Sequence, residues 1–372
     1  MKITSIKAIP VRYEMNYEIW DSQSRFSGRQ AILVRVETDE GVVGWGESAF
    51  FGGPLEVSKV IVEKELTPFY LNQNPFMSEQ LWQKAYNTCV KNGRRGAVVA
   101  ALSGIDIALW DIKGKVCSQP IYKLLGGCRD QVEGYASAGF YAEGKDAVAL
   151  ADEMLACKER GYRTMKLKVG WMDRVTDLKR VMTVKEAIGM ETPLSIDANN
   201  NWDLDTAKWF AYKLRDMNIE WIEEPLPIEC IDDSAELCRW SCIPIGGYEQ
   251  ETTKFGFAPL IAKRAVNIVQ PDVIWAGGFT EVRKIAAIAE TAGMICMPHS
   301  FSTGICLAAN LQFLASIRAG KLEMDQNYNP LRDELICNGI AIDENSLVHM
   351  SDLPGLGVEI NEEVIEKYTI EL

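Results

Sequence analysis

The sequence predicts an α/β chain, a (β/α)7β barrel of the TIM type preceded by an N-terminal α+β capping domain. Three observations carry that expectation. From about Gln131 onward, short apolar runs alternate with amphipathic helical patterns; the runs are 132–137, 164–169, 194–198, 219–223, 243–249, 266–270 and 294–298, with 321–324 as a last strand. Alternating β and α with short connections builds a parallel sheet, and this many units favours closure. Second, Asp197, Glu223 and Glu249 are spaced 26 residues apart in turn, near the roughly 30 residues of one βα unit in a barrel of about 250. Third, the chain before Gln131 has a different texture, strands first and helices after.

Taken in order, residues 31–37 alternate as a strand, Asp39-Glu40-Gly41 turns the chain, and 42–47 returns. Residues 15–29 are polar and aromatic without a period and read as a mobile loop over the barrel rim. Phe50-Phe51-Gly52-Gly53-Pro54 reads as a second such loop, its glycines permitting close approach. A long helical pattern follows at 96–115, interrupted by Ser103 and Asp106. In the barrel, Ala147, Ala151, Met154 and Leu155 share a helical face, as do Val175, Leu178, Val181 and Met182. Gly161, Gly189 and Gly293 fall where helix ends favour a left-handed residue. The expected division is a capping domain over 1–130, the barrel with its site over 131–325, and a tail over 326–372 that packs back on the cap.

Composition narrows the partners. With 372 residues, 47% hydrophobic and 24% charged, the chain is an ordinary globular protein. A net charge of −13 speaks against nucleic acid or an anionic membrane, each of which wants a basic face. No run reaches signal-peptide or membrane-span character, so a cytoplasmic location is expected. The ten cysteines are scattered without a paired framework and read as reduced thiols. Cys230, Cys238 and Cys242 make a poor zinc site, because no C-x-x-C occurs and the chain has two histidines, His299 and His349.

In such barrels the active site gathers at the C-terminal ends of the strands. Those ends carry Lys166 and Lys168, Asp197, Glu223, Glu249, Asp272, His299 and Glu323. Residues two apart on a strand point the same way, so both lysines face the barrel axis. Three carboxylates aimed at one rim make an oxygen-donor site for a divalent cation. Each residue alone has a bland account: a surface lysine, a helix cap, a loop carboxylate, a satisfied core histidine. Joint placement on one rim outweighs those accounts.

The motifs Lys166-Leu167-Lys168, Ile196-Asp197-Ala198-Asn199, Ile222-Glu223-Glu224-Pro225, Gln270-Pro271-Asp272 and Pro298-His299-Ser300 closely resemble the enolase superfamily, in its mandelate racemase-like branch. Gly44-Trp45-Gly46-Glu47, 102–115 and 354–359 extend the resemblance over nearly the whole chain. It implies Asp197, Glu223 and Glu249 as Mg²⁺ ligands, Lys168 as the base on one substrate face, and His299 as acid or base on the other, oriented by Asp272. Lys166 would stabilise the substrate carboxylate, with Glu323 a hydrogen-bond donor beside it and Asn199 among the substrate contacts. Tyr248 stands where the family often has glycine before its third ligand.

The implied chemistry is removal of the proton α to a carboxylate, giving an enediolate whose second negative charge Mg²⁺ offsets. A nearby cation, Mg²⁺ or Lys166, is expected to lower the pKa of Lys168 toward neutrality. Within the branch the favoured outcome is dehydration of an acid sugar, an aldonate or aldarate, to a 2-keto-3-deoxy acid. Racemisation or epimerisation of an α-hydroxy acid and sugar-lactone cycloisomerisation are the alternatives. Outside the branch, a metal-dependent aldolase or hydrolase and a non-catalytic barrel remain as further readings. Tyr17, Trp20 and Arg25 on the rim segment are candidates for substrate contact, with interdomain packing as the competing account. The resemblance also implies a homo-oligomer, a dimer or an octamer, acting on a small carboxylate substrate.

Overall fold

The computed structural model describes residues 1–49 and 52–372. Three strands open the chain: β1 (Ile3–Trp20), β2 (Arg25–Thr38) and β3 (Val43–Ser48). They form an antiparallel sheet in the order β3-β2-β1, extended at its edge by β5 (Tyr141–Ala142), which comes from beyond the cap. The segment expected as a loop over 15–29 is instead the distal half of the β1–β2 hairpin. Its register runs to Ile19 opposite Phe26 and Trp20 opposite Arg25 after an irregularity past Glu14. Both faces of this ribbon are half-exposed, so no period-two alternation marks it. The tip closes through the Asp21 N–H on the Ser24 carbonyl at 3.1 Å, while Asp21 Oδ1 accepts from the N–H groups of Gln23 and Ser24. Of the second expected rim loop, Phe50 and Phe51 lie outside the described residues.

The helix Ala97–Cys117 is buried over almost its whole length between the small sheet and the barrel. Close approach of β3 to it requires glycine: a Cβ on Gly46 would stand 2.0 Å from the carbonyl oxygen of Gly104. The two polar residues that interrupt this helix are its docking points. Ser103 Oγ accepts from the Gly277 N–H at 2.8 Å, and Asp106 accepts the hydroxyl of Thr280 at 2.6 Å. Among the described residues no helix is long and apolar enough to cross a membrane.

The barrel strands are β4 (Gln131–Ala138), β6 (Met165–Lys168), β7 (Leu194–Asp197), β8 (Ile219–Glu223), β9 (Ile245–Gly247), β10 (Ile268–Val269), β11 (Ile295–Cys296) and β12 (Leu322–Asp325). All pair in parallel, in the order β11-β10-β9-β8-β7-β6-β4-β12. One helix links each strand to the next: Ala147–Glu159, Arg174–Ile188, Leu204–Leu214, Ile231–Trp240, Thr253–Lys263, Phe279–Thr291 and Gly304–Ala315. Side chains of Asp146, Asp173, Asp203 and Thr303 accept the first backbone N–H groups and start four of them. Gly161, Gly189 and Gly293, at φ of 103°, 90° and 71°, follow helix ends. A last strand, β13 (Leu347–His349), pairs antiparallel with β4, and the tail returns to the cap, where the Ile370 N–H meets the Pro10 carbonyl at 3.0 Å. All ten cysteines are free.

Several expected strands are shorter than their apolar runs, and one of these places a site residue. The run over 243–249 yields only Ile245–Gly247, because Gly247 and Tyr248 (φ of 155° and 71°) turn the chain away. Glu249 is therefore on a loop, two residues past the strand.

Glu47, at the end of β3, joins the cap to the barrel. It accepts the hydroxyls of Ser302 and Thr303 and the N–H of Cys306 at 3.0 Å, satisfying the start of the helix Gly304–Ala315. Burial nevertheless pushes its carboxyl from 4.5 up to about 7. The folded chain thus holds this proton more tightly than the unfolded chain. The resulting stability is whole below the unfolded value of 4.5 and is lost as pH rises through about 7. The loss is on the order of 3 kcal/mol. Urea midpoints at about pH 5 and about pH 8 should therefore differ by more in the wild type than in Glu47→Gln. An equal drop in both proteins would show that Glu47 does not titrate in this window.

Candidate active site

The C-terminal ends of the barrel strands bring Lys166, Lys168, Asp197, Glu223, Glu249, Asp272, His299 and Glu323 together, each less than a tenth exposed. Lys166 is the hub. Its ammonium contacts Glu223 directly, lies 2.7 Å from Glu323 Oε1 and is 3.5 Å from Asp197 Oδ2. Burial alone would lower its pKa, but Glu223, Glu323 and Asp197 together hold it well above the usual lysine value. Lys168, two residues on and on the same side of β6, donates to Asp197 Oδ2 at 2.5 Å.

The expected depression of the Lys168 pKa is not found. Burial and the neighbouring Lys166 do pull it down, yet the charge of Asp197 outweighs them and the ammonium is held above its ordinary range. Glu323 also differs from its expected role as a donor. Burial would raise its pKa, but Lys166, His299 and Lys168 hold it below the usual carboxylate range. Ionised, it is an acceptor, taking the Ser300 N–H at 3.1 Å.

His299 follows β11, on the far side of the strand order from Lys168. Its Nδ1 donates to Asp272 Oδ2 at 2.8 Å, and Asp272 Oδ1 in turn accepts from Asn310 Nδ2 at 3.0 Å and the Ile274 N–H at 3.1 Å. This fixes the ring and its tautomer. Burial opposes a charge on the ring, but Glu249 and Asp272 raise its pKa to about 10.

The three spaced carboxylates fit a hard cation by their donor chemistry. All are oxygen ligands and all are buried; Asp197 raises the pKa of both Glu223 and Glu249, and Glu223 reaches about 7 through burial and the charges of Asp197, Glu323 and Glu249, against the pull of Lys166. Glu249 Oε2 is buried without a hydrogen-bond partner among the described residues, at 3.6 Å from His299 Nε2. As the chain stands, lysine ammoniums occupy oxygens of Asp197 and Glu223, and among the described residues no three acidic, histidine or cysteine side chains form a closed metal cage.

Several supporting residues escaped the sequence reading. Glu224, given no role there beyond its place in the Ile222-Glu223-Glu224-Pro225 motif, is buried and accepts the N–H groups of Tyr248 and Glu249, both at 3.1 Å. It thereby holds Tyr248 at φ of 71° where a glycine would be unstrained, and it aims Glu249 inward. Asn200 Nδ2 secures Glu224 at 2.5 Å. Trp221 Nε1 and Gln270 Nε2 both donate to Glu223 Oε2 at 2.8 Å. The paired acids of Glu223-Glu224-Pro225 and the amide of Gln270-Pro271-Asp272 were the available signals.

Lys168, Asn199, Glu249, His299 and Glu323 open on one cavity of about 310 Å³ roofed by the tip of the β1–β2 hairpin. Asn199 also donates its N–H to Asp197 Oδ1 at 2.9 Å. Of the rim candidates, Arg25 lines this cavity while Tyr17 and Trp20 do not. Tyr17 is 42% exposed, and Trp20 packs under the Arg25 guanidinium, 4.4 Å away, beside Trp171. A larger hollow of about 590 Å³ beside β12 shares no catalytic candidate with it.

Known proteins resemble this chain over nearly its whole length. Residues 147–364 match the family described as enolase C-terminal domain-like, and residues 18–126 match the mandelate racemase/muconate lactonizing enzyme N-terminal domain. An arabinonate dehydratase of Saccharolobus solfataricus is 38% identical over 91% of this chain and 90% of its own. A D-galactarolactone cycloisomerase of Agrobacterium fabrum is 34% identical, with 99% of each covered. The crystal structure of a racemase from Streptomyces coelicolor with bound magnesium superposes with a TM-score of 0.90 at 27% identity, covering 99% of this chain and 100% of that one. The chain belongs to the mandelate racemase/muconate lactonizing enzyme branch of the enolase superfamily and is an enzyme of that group.

Proposed function

We propose that this enzyme dehydrates an acid sugar, removing the proton α to the carboxylate and then the β-hydroxyl, to leave a 2-keto-3-deoxy acid. The observation that carries the reading is the opposition of Lys168 and His299 across one cavity that Glu249 also lines, with Asp197 bonded to Lys168. Magnesium, held by Asp197, Glu223 and Glu249, would offset the charge that develops on the substrate carboxylate as the proton leaves. A relative of like fold holds that metal.

With Asp197 engaged by the metal instead of by its ammonium, Lys168 would lose the charge that holds its proton and act as the base, and Lys166, fixed between Glu223 and Glu323, would lend positive charge toward the substrate carboxylate. Because Nδ1 of His299 is committed to Asp272, Nε2 is the nitrogen that exchanges protons with the cavity. It delivers a proton to the departing hydroxyl, so water leaves and the enol becomes the keto acid. The aromatic wall of the cavity, with buried Phe140 stacked on half-buried Phe301 at 5.5 Å, would limit the access of solvent to the carbanion. Relatives are named as a dehydratase, a cycloisomerase and a racemase, and the proton removal proposed here is a first step compatible with all three outcomes.

Purified enzyme offered a panel of aldonates and aldarates with magnesium should form keto acid, and EDTA should stop it. Rapid wash-in of solvent deuterium at the α-carbon, with no keto acid from any substrate, would transfer the assignment to a racemase. A homo-oligomer, dimer or octamer, belongs to the same proposal, and sedimentation equilibrium tests it.

A further inference from the structure

Behind Lys168 lies a buried polar cluster that the proposed chemistry does not use. Strand β6 ends at Lys168, and the chain turns at Gly170, with φ of 97°, toward the helix Arg174–Ile188. Three backbone groups around this exit are taken by three side chains. Asp177 Oδ2 accepts the Gly170 N–H at 2.7 Å, and the Tyr141 hydroxyl oxygen accepts the Trp171 N–H at 3.3 Å. Arg180 Nη1 donates to the Lys168 carbonyl at 3.3 Å.

The same three side chains are bonded to one another. Tyr141 donates its hydroxyl to Asp177 Oδ1 at 2.6 Å, and Arg180 Nη1 donates to that oxygen at 3.0 Å. The guanidinium also lies over the Tyr141 ring, 3.8 Å from its centre. Asp177, Tyr141 and Arg180 are 0%, 2% and 5% exposed. Tyr141 comes from β5, where its backbone pairs with Trp20 of the hairpin, and the other two come from the first two turns of the helix.

Seating that helix on the barrel needs no charge, because Val181, Val184 and Ile188 already pack into the core. An ion pair in such a place carries a desolvation cost that apolar packing of like volume avoids. What the pair and the phenol add is direction. They bond to the main chain at and just beyond one residue, Lys168, and a group that takes a proton works only when held within about 0.5 Å of its productive place.

We infer that Tyr141, Asp177 and Arg180 are positioning residues for Lys168, fixing the end of β6 so that its side chain is aimed at the substrate α-carbon. The inference rests on Lys168 as the base, as proposed above, and does not depend on what becomes of the enediolate.

The test uses magnesium-loaded Tyr141→Phe, which deletes one oxygen and leaves the ion pair in place. Exchange of the α-hydrogen with solvent deuterium is followed beside keto-acid formation, on the member of the aldonate and aldarate panel that the wild type exchanges fastest. In the variant kcat for exchange is expected to fall about tenfold while KM stays within about twofold. Keto acid should fall by the same factor, since it follows the same proton removal. A merely structural role would lower the melting temperature and leave the turnover of the folded enzyme unchanged. An unchanged kcat overturns the inference, as does a loss confined to KM, or a loss of keto acid with exchange kept. Should Tyr141→Phe not fold, Arg180→Lys is read in the same way, since it keeps the charge and loses the planar fork that reaches both Asp177 and the Lys168 carbonyl. A wild type that exchanges without forming keto acid removes dehydration and leaves this test intact. Exchange as fast in Lys168→Ala as in the wild type, or none in the wild type, refutes Lys168 as the base, and the inference falls with it.

Discussion

Replacing Lys168 with alanine is expected to lower keto-acid formation by about 10²- to 10⁴-fold and to remove exchange of the substrate α-hydrogen with solvent deuterium. The ammonium of Lys168 and the imidazole of His299 both reach the cavity, but from strands on opposite sides of the barrel order. A proton taken from one face of the α-carbon is therefore within reach of only one of them. His299→Asn, by contrast, is expected to lose keto acid while keeping α-exchange, because its task comes after the proton has left. The converse pattern, with exchange lost in the histidine variant and kept in the lysine variant, would reverse the two roles. Full activity in Lys168→Ala would sink the superfamily mechanism for this chain and favour an aldolase-type barrel. Asp197 loses its 2.5 Å partner in that variant, so a thermal melt should accompany the kinetics.

The second large effect is on stability. Lys166→Met is expected to destabilise the enzyme without added metal by about 3–5 kcal/mol, read from urea unfolding. Methionine fills a similar volume, so the change isolates charge. What it leaves behind is a cluster of buried carboxylates, Glu223, Glu323 and Asp197, deprived of the ammonium that all three share. Added magnesium should recover part of the loss, since a cation bound by the folded state alone stabilises it by mass action. A variant as stable as the wild type would mean that those carboxylates are already neutralised by protons, leaving Lys166 with no electrostatic work in the fold.

Much of the barrel was legible because its signals are local. Ile219–Glu223 appears with the bounds its apolar run suggested, and the lysines of β6 share a face because strand geometry leaves no other arrangement. The approximate position of Glu249 followed from spacing, but its support did not. Glu224 acts on a loop 25 residues away through backbone N–H groups, and no side-chain pattern announces an acceptor of main-chain donors. The hairpin was missed for a related reason. A two-stranded ribbon with neither face fully buried has no apolar rhythm, and the contacts that hold this one, such as Ser22 with Ala198 and Arg29 with Asp325, span 176 and 296 residues. The turn chemistry of Asp21-Ser22-Gln23-Ser24 was present in the sequence, yet it has meaning only with a barrel beneath it.

The eighth barrel strand has a second consequence. Glu323 and Asp325 project to the same side of β12, one toward Lys166 and the other to Arg29 on the overlying ribbon. Reagent and roof thus hang from a single stave, so a shift that lifts the roof will tug the electrostatics of the floor. Anyone transplanting a foreign ribbon to retarget this catalyst would have to bring along a match for Asp325, or accept a gate that no longer latches.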